Sequence, residues 1–344
     1  MSLTTRILEN LQLPKKQHAI GGNGAVSREE CTAATLPSFV DQINLVHTAL
    51  FGWPCDHLTP LDEYLACENI HQVALKILDS RRFRWDIRGK VGLWPHEKWV
   101  MTDYRGFQVW VNLFDGFVSF GALHGNWEND EVDFMLSWLR EGDAVIDAGA
   151  NIGIFTIQAA AVVGKTGQVH AFEPMKNTFD MLARSVRANG FESRCQLYNE
   201  GLGADEGIGS FHLSAHATNP GSSYISTDSD GPRIHIRPLD SIRFERRIKF
   251  VKIDVEGFEP NIILGAARTL QEHAPVILTE FFPRSLREIG DISGPAYVAM
   301  LEKLGYQMTV FSVDGRGSKV TSADAHRFDE ITEPTNLVCL PPGR

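Results

Sequence analysis

The 344 residues contain no cysteine pairing pattern, no apolar run of membrane length and no excess of basic charge. Five cysteines (Cys31, Cys55, Cys67, Cys195, Cys339) are odd in number and scattered, with no C-x-x-C pair. That excludes a disulfide framework or a cysteine zinc site as the organising device and fits a reducing cytoplasm. The most apolar of the long uncharged stretches, Ala148 to Gly164, has 17 residues but includes Asn151, Gln158 and three glycines. A membrane span needs about twenty mostly apolar residues, so none is expected. The opening MSLTTRILENLQLPKKQ lacks the apolar centre of a secretory signal. Acidic residues outnumber basic ones 43 to 33, for a net charge of −10, which argues against a nucleic acid partner. No internal repeat is present.

What is there is ordinary globular material. Apolar residues make up 43% and aromatics 10%, and a chain this long buries a core without staples. A polar start with GGNG at 21–24 predicts a flexible arm over 1–36. Phe39, Ile43, Val46 and Leu50 behind Ser38, then Ile70, Val73, Ala74, Ile77 and Leu78, fall on helical faces and predict an N-terminal helical cap over 37–100. FQVWVNLF and FVSFGAL flank Asp115-Gly116, which predicts a β-hairpin lead-in over 101–126. A helix with Val132, Met135, Leu136 and Leu139 follows.

From there strand and helix patterns alternate. Strand candidates are AVIDAGA (144–150), QVHAFEP (168–174), CQLYNEG (195–201), KFVKIDV (249–255), PVILTE (275–280), YQMTVFSV (306–313) and NLVCL (336–340). Amphipathic helices carry Met175, Phe179, Leu182 and Val186, and later Tyr297, Met300, Leu301 and Leu304. Short apolar strands alternating with helices predict an α/β fold with a doubly wound, mostly parallel sheet over 127–344. The last two strands are joined without a helix pattern, so they are expected to pair antiparallel.

In such sheets ligands bind at the carboxyl ends of the strands near the switch point. The first βα turn reads Asp147-Ala-Gly149-Ala-Asn-Ile-Gly153, and Glu173 stands twenty residues after Gly153 at the end of the second strand. Glycine permits the sharp turn and close approach, the helix start attracts an anionic group, and a terminal acid is placed for ribose hydroxyls. G-x-x-x-G lacks the middle glycine that lets a backbone approach a pyrophosphate. That favours S-adenosylmethionine, which has a carboxylate and no pyrophosphate, over a nicotinamide dinucleotide.

VIDAGANIGIFT, AFEP, VKIDVEGFEPNIILGA and ILTE together resemble the FkbM family of class I S-adenosylmethionine-dependent methyltransferases, over about residues 118–282. Trp127-Glu128 and RPLDSI (237–242) match weaker landmarks of that family. The resemblance implies a seven-stranded Rossmann-like methyltransferase sheet with an antiparallel last strand. It places Asp147, Gly149, Ala150, Asn151 and Gly153 around the amino acid part of the cofactor, and Glu173 with Pro174 at the ribose. It places Gly201 and Leu202 by the adenine and Asp254 along the methyl-transfer cleft, and adds Glu128 to the cofactor-binding set. It further implies O-methylation of a secondary metabolite or glycan; the first hundred residues match no landmark.

An aliphatic hydroxyl needs a base, or an acidifying metal, to accept a methyl group. Asp254, Glu256 and Glu280 at strand ends are the candidates, with His124, His212 and His216 on loops. Asp254 equally suits a cap on the helix that follows DVEG, and no spacing demands a metal. All seven tryptophans lie in the first 138 residues, and with Arg81, Arg82, Arg84 and Arg88 they suit either an aromatic core or a platform for a sugar. The place after the fourth strand holds DVEG rather than an N/D-P-P-Y motif, which again disfavours nucleic acid. Pro54-Cys55 lies too far before the glycine turn to act as a nucleophile motif. The expected partner is a small-molecule or glycan acceptor, with a homodimer through the N-terminal region as a possibility. The alternatives are a carboxylate or amine acceptor, or a non-catalytic module that binds the cofactor.

Overall fold

The computed structural model describes residues 96–343 apart from 214–218, 227–229 and 332, and before them positions 40, 43, 64–67, 72, 73 and 76. Two compact units divide at Gly89/Lys90. In the first, Val40, Ile43, Tyr64, Leu65, Gln72, Val73 and Lys76 are helical. Ile43, Tyr64 and Val73 among them are buried. The 1–36 arm and most of the 37–100 cap lie outside the described residues.

The second unit opens with an antiparallel hairpin of β1 (Trp99–Tyr104) and β2 (Phe107–Asn112). The hairpin turns at Arg105-Gly106, both with positive φ, and not at Asp115-Gly116 as the sequence suggested. FVSFGAL is helical instead, as α1 (Val118–Leu123). The reason is Asp115: it is buried, and its two carboxylate oxygens accept the amides of Phe117 and Ser119, each at 2.8 Å. An Asp-Gly pair opens a helix as readily as it turns a hairpin when its carboxylate finds amides to cap. Asp115→Ala strands those amides and is expected to cost about 2 kcal/mol in urea unfolding, with the denaturant slope unchanged.

After α2 (Asn129–Trp138) the chain builds β3 (Ala144–Ala148), α3 (Ile154–Val163), β4 (Gln168–Phe172), α4 (Lys176–Ala188) and β5 (Cys195–Tyr198). It then lays down β6 (Gly201–Leu202), β7 (Gly207–His212), β8 (Tyr224–Ser226), β9 (Arg233–Arg237) and β10 (Ile248–Ile253). The last part holds α5 (Glu259–Gly265), α6 (Ala267–His273), β11 (Val276–Phe281), α7 (Pro283–Glu288), α8 (Gly294–Lys303), β12 (Gln307–Val310), β13 (Lys319–Val320) and β14 (Thr335–Leu340).

The main sheet runs β5-β4-β3-β10-β11-β14-β12-β13. The first five strands are parallel, and β14 enters antiparallel between β11 and β12. The antiparallel last strand is therefore found, but the described sheet has eight strands rather than seven. The addition is β13, two residues long, paired with β12 through Met308 and Thr309; so short a piece has no alternation to recognise. CQLYNEG does not continue as one strand either. Its end becomes β6, in a separate four-stranded sheet β6-β9-β7-β8 around Phe211, Ile225 and Ile234.

Alternate residues of each central strand enter opposite cores, as parallel strands covered on both faces require. Val145, Phe250 and Leu278 face one core together with α2, α3 and α4. Ile146, Val251 and Ile277 face the other with α5, α6 and α8. The chain steps outward from β3 to β4 and β5, then returns to place β10 on the other side of β3, so the switch point lies between β3 and β10.

Candidate active site

At that switch point β3 gives way to the turn Gly149–Gly153 and then to α3. Gly149 has φ 83°, and a Cβ on it would lie 1.9 Å from the carbonyl oxygen of Asp254. The two strand ends are also tied by the Asp254 amide, which donates to the Ala148 carbonyl at 3.1 Å. Gly149 and Ala150 both donate to the Phe172 carbonyl of β4, at 3.1 and 2.9 Å. Close approach of β3, β4 and β10 is what the turn is built for.

Asp147 is buried on β3, where its Oδ2 accepts from the Thr156 hydroxyl at 2.6 Å. Its Oδ1 is buried with no hydrogen-bond partner among the described residues. Burial raises its pKa, against the pull of the Lys252 ammonium. A buried acceptor that lacks a donor is costly unless a ligand supplies one. An amino acid ammonium would do so, with its carboxylate over the first turn of α3; the site fits S-adenosylmethionine on this observation. Asn151 sits at φ 49°, and its amide donates to Glu173 Oε2 at 2.9 Å. Glu173 Oε1 takes the Met175 amide at 2.8 Å, so one carboxylate ties the β3–α3 turn to the β4–α4 turn. Burial pushes Glu173 up to about 7 against these two amides.

Pro174 belongs to the same junction. Asn199 Nδ2 donates to the carbonyls of Glu173 and Pro174, each at 2.9 Å. Gly201 and Leu202 lie just beyond Asn199 in β6. A Cβ on Gly201 would meet Ile225 Cδ1 at 2.8 Å, and Leu202 packs in the core on the α5 side.

The α2–α3 face of the sheet carries a concentration of acids around one buried cation. Lys252 is the register partner of Asp147, and its Nζ lies 2.7 Å from Asp254 Oδ2. Burial opposes the ammonium, but Asp254, Glu128 and Asp147 outweigh it and hold the Lys252 pKa above its ordinary value. Glu128, just before α2, has φ 45° and is pushed up to about 8 by burial, with Lys252 pulling the other way. Glu256 has φ 58° and also rises to about 8, from burial and then from Asp254. Glu280 on β11 is raised well above the carboxylate range by burial and then by Asp254 and Glu256. The structure thus brings Asp254, Glu256 and Glu280 together.

No side chain caps the helix after DVEG, whose N-cap is Phe258. Glu259 Oε1 instead accepts the amides of Val255 and Gly257 in the preceding turn, each at 3.1 Å, while Asp254 Oδ2 turns to Lys252. Within RPLDSI, Asp240 similarly accepts the amides of Arg268 and Thr269 at the start of α6. Of the loop histidines, His124 stacks on Phe120 and His212 on Tyr224, while His216 lies outside the described residues. Trp99, Trp127 and Trp138 pack against the second unit's own core, and Trp110 lies under Arg184. Trp53, Trp85, Trp94, Arg81, Arg82, Arg84 and Arg88 are outside the described residues. Among the described residues no group of three or more His, Cys, Asp or Glu has the geometry to hold a metal ion. Among them, too, no helix is long and apolar enough to cross a membrane.

Two contributors carry no mark in the sequence. Asn199 reads as an ordinary polar residue after a strand, and Lys252 as an ordinary alternating position within one.

A parallel sheet with an antiparallel strand near one edge, a glycine turn at its switch point and an acid ending the next strand define a methyltransferase-like α/β domain. Residues 147–308 match the family described as the methyltransferase FkbM domain. Over those residues the chain therefore carries a methyltransferase domain that matches the FkbM family, with S-adenosylmethionine as its cofactor. Among solved structures it is similar to methyltransferase FkbM from Methylobacillus flagellatus KT, at 20% identity and TM-score 0.39 over 58% of this chain and 44% of that one. It is similar to an S-adenosylmethionine-dependent O-methyltransferase from Thermotoga maritima, at 16% identity and TM-score 0.37 over 63% of this chain and 66% of that one. It is also similar to a putative rRNA methylase from Clostridium thermocellum, at 14% identity and TM-score 0.38 over 61% of this chain and 92% of that one. The chain thus spans less than half the length of the Methylobacillus protein and about two thirds of the Thermotoga one. No curated protein matches it.

Proposed function

We propose that the protein methylates a hydroxyl of a small secondary metabolite, sugar or glycan. The observation that carries this reading is the meeting of Asp254, Glu256 and Glu280 at the carboxyl ends of β10 and β11, with Glu256 pushed up to about 8 by burial and Asp254. Bound at the switch point, S-adenosylmethionine supplies an electrophilic methyl group. Asp147 accepts from its ammonium, and Glu173 faces its ribose. Glu280 or Glu256 takes the proton of the attacking hydroxyl, and a carboxylate with a pKa near the working pH is suited to that transfer. The net charge of −10 supports an acceptor other than nucleic acid.

The test is transfer of a labelled methyl group to panels of polyols, glycosides, carboxylic acids and amines. Turnover confined to hydroxyl acceptors supports the reading, and transfer only to amines or carboxylates overturns it. With the acceptor so found, Glu280→Gln and Asp254→Asn are each expected to lower kcat about 10²-fold or more. If these two and Glu256→Gln all leave kcat unchanged, the carboxylates are not the base. The rate should climb as pH rises toward about 8, because the base works only when deprotonated.

A further inference from the structure

Lys252 does something in the cleft that neither the glycine turn nor the carboxylates do. Burying an ammonium costs several kcal/mol unless a carboxylate compensates. The Lys252 side chain is 8% exposed and that of its partner Asp254 is 30% exposed, with 2.7 Å between Nζ and Oδ2. The pair is a dipole at the carboxyl end of the sheet, with the ammonium inward and the carboxylate toward the cleft. The ammonium is pinned further by the Phe155 ring of α3, 4.5 Å from Nζ, and by the field of Asp147 and Glu128. The charged groups that act on it are Asp254 on its own strand, Asp147 on β3, Glu128 and Glu131 at the start of α2, Glu256 after β10 and Glu280 on β11.

We propose that Lys252 is a positioning residue of the methyl-transfer cleft: through the Nζ–Oδ2 contact it fixes and aims the Asp254 side chain, so that this carboxylate meets the positive charge of S-adenosylmethionine. The proposal rests on the methyltransferase reading of the site. Without the ammonium nothing fixes the Asp254 side chain, and repulsion from the neighbouring Glu128, Glu256 and Glu280 turns it out of line with the cationic ligand. A dipole fixed before binding needs no reorganisation when the cationic ligand arrives.

The two forms of the cofactor provide the readout, because S-adenosylmethionine and S-adenosylhomocysteine differ by one methyl and its positive charge. Calorimetric affinities for both ligands are compared on the full chain for wild type, K252M, K252R, D254N and K252M/D254N. Methionine keeps an unbranched stem and deletes the charge, whereas arginine keeps the charge. The preference for the methylated ligand should fall about tenfold in K252M, because the carboxylate is no longer fixed before the ligand arrives. K252R should keep the wild-type preference, and K252M should add nothing in the D254N background. An unchanged ratio in K252M, or an equal K252M effect with and without Asp254, overturns the proposal. If K252M does not fold, D254N alone must lower the ratio about tenfold, and an unchanged ratio in it is fatal. Wild type binding neither ligand would instead refute the methyltransferase reading itself.

Discussion

Gly149→Ala is expected to lower affinity for S-adenosylhomocysteine at least about 100-fold and to destabilise the fold by about 2–5 kcal/mol. Two costs add at this position. The backbone is at φ 83°, where a side chain is strained, and the new Cβ would sit 1.9 Å from the Asp254 carbonyl oxygen. That oxygen belongs to backbone at the end of β10, so no rotamer change relieves the clash. β3 and β10 must move apart at the switch point, breaking the contact of the Asp254 amide with Ala148 and shifting Asp147 against Lys252. Gly190→Ala is the control: φ is 68° there too, but nothing lies within 4 Å of the new Cβ. It should cost about 1–2 kcal/mol and leave the affinity unchanged. Urea unfolding and calorimetric titration of both variants separate strain from site damage. Equal losses of affinity would show that Gly149 has no special part in the pocket.

The contrast between these glycines bears on what the sequence reveals. Gly149 and Glu173 were legible because a strand, a turn and a second strand of fixed length carry them to one place. The central strands were legible because both faces are buried, so VILT reads as an uninterrupted run and AVID and FVKI as apolar runs with one charged residue each. The hairpin was misplaced because an Asp-Gly pair serves two structures, and only the neighbours of Asp115 decide between them. The second sheet left no pattern: β6 has two residues and β8 three, fewer than a period-2 signal needs. That Asp254 does not cap the helix after DVEG is likewise invisible, because its spacing suits a cap. What draws it away is Lys252, two residues before it and on the same side of the strand, where it supplies a partner. That lysine looks like a solvent-facing position in KFVKIDV. Its burial comes from Phe155, Asp147 and Glu128, which lie roughly 100 residues or more away.

The same crowd of acids should make the unliganded protein less stable as pH rises from about 6 to about 8.5. Glu128 and Glu256 rise to about 8, and Glu173 and Glu259 to about 7, burial being the largest cause in each. A carboxyl whose folded pKa exceeds its unfolded value binds its proton more tightly in the native state. Its stabilising contribution is complete below about 4.5 and disappears as pH climbs through 7 to 8. His170 acts in the opposite sense, because burial lowers it to about 4, so its contribution grows only from about pH 4 to 6.5 and is level above that. Above pH 6.5 the carboxylates therefore set the slope alone. Each unit of raised pKa corresponds to about 1.4 kcal/mol, discounted to about 1 kcal/mol per group for Glu128 and Glu256, which stay partly exposed. The total is on the order of a few kcal/mol, or about 5–10 °C in Tm. Glu128→Gln should flatten the slope and raise Tm at about pH 8.5, because it removes one charge from the crowd around Lys252. A Tm that rises over this range would mean that these acids are already ionised and solvated in the folded protein. The cofactor's positive charge should relieve the same crowding. Binding S-adenosylmethionine at about pH 7.5 should therefore release protons, seen as a binding enthalpy that changes with the ionisation heat of the buffer, and the uncharged homocysteine product should release fewer.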